Sequence, residues 1–473
     1  MTTPHQDLAA RDASVCWHPY TQHGLEDAPL PVVAAKGATL TLADGREVLD
    51  AISSWWAILH GHGEPAIAEA IGRQAAELDH VLFAGATHEP AVRLAERLVE
   101  VTPEGLERVF YSDDGSTAVE VALKMVIQVW RHKGEPDRRV FVALEGAYHG
   151  DTFGAMAIGD PDPFFLPFAP MFFEAERCPA DAAAIAAKLD ELGGRAAGVI
   201  VEPLVQGAAG MWMQDPAFLR DLRAACTERG LPLIADEVMT GFGRTGELFA
   251  CDVAGIAPDL MCLAKGLTGG ATPMSVTMAR AEHFDAFLSD SRADAFFHGH
   301  TFTAHPIGCA AALASLDLTL ERDVPARLTA IGARIHATLR EELADLLTTG
   351  RVADLRHRGG IVAFDLVAPK DGDPSKAGDS GYLAGDPATL RRRAVELGVL
   401  LRPLGNVLYA MPPACTTDQE ADRIAAAMVT LAPGFIAFGA ASAGAMSMES
   451  GAVMLLVNVT LMAIPPVVVA TGL

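Results

Sequence analysis

Two stretches decide how this chain folds: residues 231–236, Leu-Pro-Leu-Ile-Ala-Asp, and residues 259–265, Asp-Leu-Met-Cys-Leu-Ala-Lys. Each is a short apolar run that closes on one charged residue, Asp236 in the first and Lys265 in the second. Continuous apolar runs of this length, bounded by turn signals, are strands buried on both faces. Working outward, similar runs occupy Arg108–Ser112, Arg139–Leu144 and Gly198–Glu202. Amphipathic helical segments lie between them over Ser116–Arg131, Asp181–Leu192 and Pro216–Arg229, the last opening on a proline after Asp215. Strands alternating with such helices predict an α/β fold, a doubly wound and mainly parallel sheet covered on both faces.

That block spans residues 64–322 and is expected to be the large domain. Residues 1–63 carry short alternating segments, with a hairpin turn at Ala43-Asp44-Gly45-Arg46. Residues 323–432 read as a long helix after Pro325, a strand over Ile361–Leu366, a helix over Pro387–Leu397 and two strands ending near Met411. The two ends are expected to combine into one smaller α+β domain. Residues 433–473 form an atypical apolar tail in which Glu449 is the one charged residue. Asn458 and Pro465–Pro466 interrupt it and no basic cluster flanks it, so a loose extension is expected rather than a membrane anchor.

The 473 residues include 60 acidic and 36 basic side chains, a formal net charge of −24. Such a balance speaks against nucleic acid and anionic membranes as partners, because both need a basic footprint. Seven cysteines are scattered without a CxxC pair and read as small buried hydrophobes of a reducing compartment. The first residues lack the basic and apolar regions of a signal peptide, so a cytoplasmic protein is expected.

In an open parallel sheet, ligands bind beyond the carboxyl ends of the strands. Taken alone, Asp236 is a turn cap and Ser116 a helix cap. Lys265 is harder to dismiss. Lysine is almost never buried unpaired, and an apolar setting pushes it toward the neutral amine that attacks carbonyls. Asp114-Gly115-Ser116-Thr117 stands between a strand and a helix, where backbone N–H groups and the helix dipole favour a phosphate. A buried lysine, an aspartate and a phosphate cradle at the strand ends of one sheet are what pyridoxal 5'-phosphate requires.

At this point LPLIADEVMTGFGRTG (231–246) and APDLMCLAKGLTGG (257–270) resemble the signature of the class III, or omega, aminotransferases of PLP fold type I. DDGSTAVEVALKM, EGAYHGDTFGAMAIGD and FFHGHTFTAHPIGCAAALASL are similar to that family in the same order. WHPYTQH, SSWW and LLRPLGNVLYAMPP resemble a narrower subgroup, the biotin-pathway enzymes that aminate 8-amino-7-oxononanoate with S-adenosylmethionine as donor. The resemblance covers about residues 14 to 432 and leaves open another omega-amino acid or lysine-dependent member. It implies a ping-pong enzyme that works as a homodimer with shared active sites.

The resemblance also implies roles. Lys265 is the Schiff-base lysine, and Tyr20 and Tyr148 complete the catalytic set. Asp236 pairs with the pyridine nitrogen, Val238 packs on one ring face and Tyr148 on the other. Gly115 and Ser116 take the phosphate, joined by Thr301 from the neighbouring subunit. Tyr20, Trp55 and Trp56 wall an apolar slot, and Arg402 binds the carboxylate of the oxo-acid. A planar, always-charged guanidinium suits that carboxylate, and aromatic lining suits a nine-carbon chain. Two departures stand out: Met239 where many relatives carry Gln, and His305 where Asn is commoner. Glu202 fits a gate or a supporting position.

Gly241-Phe242-Gly243-Arg244-Thr245-Gly246 matches G-x-G-x-x-G, but about twenty residues on stands Lys265 rather than a strand-closing acid, which argues against a dinucleotide site. His298 with His300, and His60 with His62, are lone H-x-H pairs without accompanying acids or cysteines. They read as surface or loop histidines, and no metal is expected.

Overall fold

The computed structural model describes residues 8–367 and 387–449. Its large sheet has seven strands: β1 Leu106–Ser112, β2 Val140–Leu144, β3 Ala175–Cys178, β4 Ala196–Val201, β5 Leu233–Asp236, β6 Leu260–Leu263 and β7 Ser275–Arg280. Their spatial order is β1-β7-β6-β5-β4-β2-β3. β2 to β6 pair in parallel. β7 runs antiparallel to both β6 and β1. The five strands expected from apolar runs lie within two residues of their predicted bounds. β3 and β7 were not anticipated. β3 is a short polar edge, and β7 hides Ser275 and Thr277 inside the core, where Thr277 Oγ1 donates to the carbonyl of Ala118 at 2.8 Å.

Helices cover both faces as the α/β pattern requires. Gly115–His132 starts at a capping box in which the Asp114 carboxylate accepts the Thr117 N–H at 2.9 Å. Its apolar stripe, including Ala118, Val119, Ala122 and Val126, is fully buried. At about 25 cal/mol per Å² of apolar surface, burial of this kind is the main term holding helix to sheet.

The two chain ends meet in a four-stranded sheet. The strands Val32–Lys36, Thr39–Leu42 and Glu47–Asp50 form a meander around the expected turn, and Val399–Leu400 adds in parallel, Leu400 opposite Asp50. Val352–Arg358, Ile361–Leu366 and Val407–Ala410 make a separate antiparallel sheet. The last helix, Asp418–Glu449, buries Ala421, Ile424, Ala425, Met428 and Leu431. It continues through Pro433, past the point where a loose tail was expected to begin. Residues 450–473, the greater part of that tail, lie outside the described residues. Among the described residues no helix is long and apolar enough to cross a membrane.

Arg244 ties these parts together. It is 1% exposed, the largest fully buried side chain among the described residues. Its guanidinium donates to the carbonyls of Pro412 at 3.0 Å, Trp56 at 3.3 Å and Ile58 at 3.1 Å. Burial lowers it to about 10, and the charge of Asp50 opposes that fall. The glycine-rich run around it therefore serves packing: Gly243, at φ +100, leaves a Cβ only 3.1 Å from the backbone of Pro325. Arg244→Met keeps the volume but orphans three carbonyls, each worth about 1–3 kcal/mol when buried unpaired. The expected loss is about 3–5 kcal/mol of stability. It is read as a lower urea midpoint at unchanged slope, and a wild-type midpoint would remove this role.

Candidate active site

A cavity of about 690 Å³ opens beyond the carboxyl ends of the parallel strands. Gly115, Ser116, Tyr148, Asp236, Val238 and Lys265 all line it, and Trp56 forms part of its wall. Seven of the residues singled out from sequence thus meet in one place.

Lys265 follows the end of β6 with its backbone in the left-handed region, φ 47°. Its Nζ sits 4.8 Å over the ring of Trp56. Burial lowers the ammonium to about 8; Asp236 and Glu202 oppose this, and Arg244 adds to it. Asp236 closes β5 and is 5% exposed. One of its oxygens bonds His149 Nδ1 at 2.7 Å, and the other accepts the Val238 N–H at 3.1 Å. His149, itself buried, was not singled out from sequence. Its signal lay in the Tyr-His-Gly triplet, read there only for its tyrosine.

The phosphate cradle is held by close backbone approach. Gly150, at φ +119, would place a Cβ 2.1 Å from Ser116 Oγ, so no side chain fits there. Ser116 Oγ accepts the Thr152 N–H at 3.0 Å, and Thr152 Oγ1 donates to Glu120 at 2.7 Å. The same Glu120 oxygen accepts the Gly154 N–H at 2.6 Å. A Cβ on Gly115 would meet Val238 Cγ1 at 2.6 Å, so the helix start presses on the residue that borders the cavity.

Tyr20, Trp55 and Arg402 do not themselves line this cavity; Tyr20 packs against Tyr148 and Asp151, which do, and Trp55 and Arg402 follow behind it. Tyr20 Oη donates to Asp151 at 2.6 Å, Tyr148 Oη reaches the same oxygen at 3.2 Å, and the two hydroxyls lie 3.3 Å apart. Burial pushes both phenols above their usual range. Asp151, which joins them, was also missed. Ser53, Ser54, Trp55 and Trp56 carry φ of 51°, 45°, 70° and 74°, four left-handed residues in a row. Each costs an L-residue roughly 1–2 kcal/mol. Trp55 packs edge-on to Tyr20 at 5.6 Å, and the Arg402 guanidinium lies 4.5 Å over its ring. Trp56 Nε1 donates to Tyr409 Oη at 2.9 Å. Met239 lines the cavity, and a Cβ on Gly207 would fall 2.6 Å from its sulfur and 3.2 Å from the Trp56 ring.

Glu202, at the end of β4, bridges two loops: its oxygens accept the Tyr148 N–H at 3.0 Å and the Gly207 N–H at 2.9 Å. Burial pushes it up to about 7, with His149 opposing and Asp236 assisting. His305 caps the helix Pro306–Glu321, its Nδ1 accepting the Gly308 N–H at 3.4 Å, a task Asn performs equally well. His60 departs from the expected surface or loop histidine: it is 3% exposed, bonded to Ser315 at 3.1 Å, and burial lowers it to about 4. Thr301 is exposed and does not line the cavity of its own chain.

The residues present fit pyridoxal phosphate: an amine held in a buried setting, a buried carboxylate on the adjacent strand, and a helix N-terminus whose hydroxyl is fixed by its neighbours. The aminotransferase class III family model matches residues 20–431. The adenosylmethionine-8-amino-7-oxononanoate aminotransferase of Synechococcus elongatus is 50% identical over 431 residues, covering 88% of this chain and 97% of that protein. The enzyme of the same name from Mycobacterium leprae is 41% identical over 449 residues, 91% of this chain and 97% of its own length. Among solved structures, the same-named enzyme of Methanocaldococcus jannaschii superposes with a TM-score of 0.84 at 33% identity, covering 90% of this chain and 98% of that one. A PLP-bound amine transaminase from an uncultivated Pseudomonas species gives 0.79 at 32% identity, covering 88% and 98%. The strand-end lysine, its aspartate and the glycine-framed cradle therefore sit in a chain that belongs to the class III aminotransferase family, enzymes built on pyridoxal phosphate.

Proposed function

We propose that the protein transfers an amino group from S-adenosylmethionine to 8-amino-7-oxononanoate, giving 7,8-diaminononanoate for biotin synthesis. The observation that carries this reading is the continuous wall Arg402–Trp55–Tyr20, which runs from a fixed positive charge to the Tyr148 hydroxyl. It suits a long aliphatic acceptor that ends in a carboxylate. The names of the relatives supply the substrate pair.

Bound pyridoxal phosphate supplies a carbonyl for the amine and an electron sink for the negative charge that develops at the substrate carbon. The protein supplies the rest. Lys265 holds the cofactor and moves the proton at the reacting carbon, a task helped by an amine poised near neutrality. Asp236, held by His149, would pair with the pyridine nitrogen of the bound cofactor. Val238 and Tyr148 would border its ring, and Gly115 and Ser116 would take its phosphate; all four line the cavity. Thr301 completes the phosphate site of a second copy in a homodimer. Exposed Phe297 and Phe302, 80% and 54% accessible on either side of Thr301, support that assembly. The acidic charge and the buried cysteines support a cytoplasmic location; Cys16 and Cys415 are the exposed exceptions.

A half-reaction screen tests the donor. The holoenzyme is mixed in turn with S-adenosylmethionine, lysine, ornithine and 4-aminobutyrate, and the cofactor band is expected to bleach with the first. Bleaching by lysine or 4-aminobutyrate instead would assign another omega-amine reaction. Arg402→Ala is expected to weaken the acceptor half-reaction at least tenfold more than the donor half, and equal damage to both would dismiss it as the carboxylate site. Because the Lys265 amine sheds its proton near pH 8 rather than 10.5, reconstitution of the apoprotein with cofactor should quicken as pH rises through about 8. Lys265→Ala should show no such absorbance change at any pH. A rate flat from pH 6 to 9.5 would contradict the lowered value.

A further inference from the structure

The left-handed run Ser53–Trp56 presents the two tryptophans of the proposed acceptor wall, yet nothing in its own residue types favours that backbone. Glycine is absent from all four positions. The start of the run is restrained by one neighbouring side chain. Asp50 ends the strand Glu47–Asp50 with its carboxylate wholly buried. Oδ1 accepts the Ile52 N–H at 3.3 Å and the Ser54 N–H at 2.9 Å. Oδ2 accepts the Ser54 hydroxyl at 2.7 Å and bonds His62 Nε2 at 2.9 Å. Burial raises this carboxyl, but the bonds from His62 and Ser54 outweigh it and leave it below the usual carboxylate range. Two further anchors close the run, Ser53 Oγ on the Met411 carbonyl at 2.8 Å and Trp56 Nε1 on Tyr409.

The same aspartate fixes the other side of the slot. Its strand pairs in parallel with Val399–Leu400, Asp50 opposite Leu400, and the chain reaches Arg402 two residues later. Asp50 therefore stands where the tryptophan run and the arginine strand diverge, and the distance between Trp55 and Arg402 depends on both branches.

We infer that Asp50 is a positioning residue for the acceptor: by holding the left-handed run it sets Trp55 beneath the Arg402 guanidinium and so fixes the carboxylate end of the slot. This rests on the reading of Arg402 and the tryptophans as the acceptor wall. Asp50 touches neither substrate nor cofactor and acts through Trp55 and Arg402. Neutralising it weakens the hold on Ser54 and His62 and lets the run relax toward ordinary backbone, which moves Trp55 away from Arg402.

The test is a double-mutant cycle on the full-length holoenzyme with Asp50→Asn, Arg402→Ala and both together. Acceptor dissociation constants come from tryptophan fluorescence titration, and the two half-reactions from the cofactor band. Asp50→Asn is expected to raise the acceptor constant about tenfold while the donor half-reaction shifts less than twofold. In the Arg402→Ala background it should add less than twofold, because the Trp55–Arg402 contact through which it acts is gone. Multiplicative effects in the double variant, or a wild-type acceptor constant for Asp50→Asn, would overturn the inference. If Arg402→Ala alone binds acceptor normally, the carboxylate reading of Arg402 falls. The positioning claim then stands or falls on whether Asp50→Asn still raises the acceptor constant. Should Asp50→Asn yield no folded protein, Ser54→Ala, which removes one of the four bonds, runs through the same cycle with a smaller rise expected.

Discussion

The constraint on which this structure depends is that Asp236 and Lys265 end two adjacent parallel strands. Register places Asp236 beside Cys262, so the lysine emerges three residues further on, just past the sheet edge that the carboxylate also marks. A buried amine and a buried acid are both costly in an apolar interior. Here the acids tune the amine: desolvation draws the lysine toward neutrality, while Asp236 and Glu202 stop it falling further. Other groups at the site are placed by neighbouring strands of the same sheet, while Trp55, Trp56 and Arg402 arrive from the smaller sheet. Glu202 leaves β4 and bridges the Tyr148 and Gly207 loops, and Ser116 opens the helix that follows β1.

Around that centre the molecule uses backbone carbonyls and amides as fixed points and long side chains as ties. Arg244 satisfies three carbonyls from two distant segments, and Glu120 gathers the hydroxyl of Thr152 and the amide of Gly154. The Arg244 tie is not redundant, because the bonds to the Pro412 and Trp56 carbonyls are buried away from water that could replace them. This explains why a glycine-rich run that looks like a nucleotide fingerprint serves here as a joint: Gly243 and Gly359 make room for backbone, with a Cβ on Gly359 falling 2.4 Å from the Arg244 carbonyl.

Sequence alone made legible the strand framework of the large sheet and the candidates that meet in one cavity, for an identifiable physical reason. Parallel strands buried on both faces read as continuous apolar runs, and a charged residue closing such a run is conspicuous, as Asp236, Lys265 and Glu202 were. What stayed hidden was polar and relational. β7 escaped because Ser275 and Thr277 break its apolar pattern while bonding inside the core. His149 and Asp151 escaped because their value lies in what they touch, Asp236 for one and two tyrosines for the other. Asp50 escaped because a left-handed run of Ser and Trp has no compositional signature. His60 shows the converse, a histidine whose H-x-H spacing suggests a loop while tertiary packing buries it.

The reversed direction of β7 has a topological consequence. A parallel successor to β6 would require a crossover helix and would carry the chain to the far end of the sheet before it returned. Because β7 starts at the end where β6 stops, the nine residues between Lys265 and Ser275 never leave the cofactor side, and Gly270 to Met274 become part of the cavity wall. That connection has no slack for insertions, since any added length would have to fold into the pocket itself.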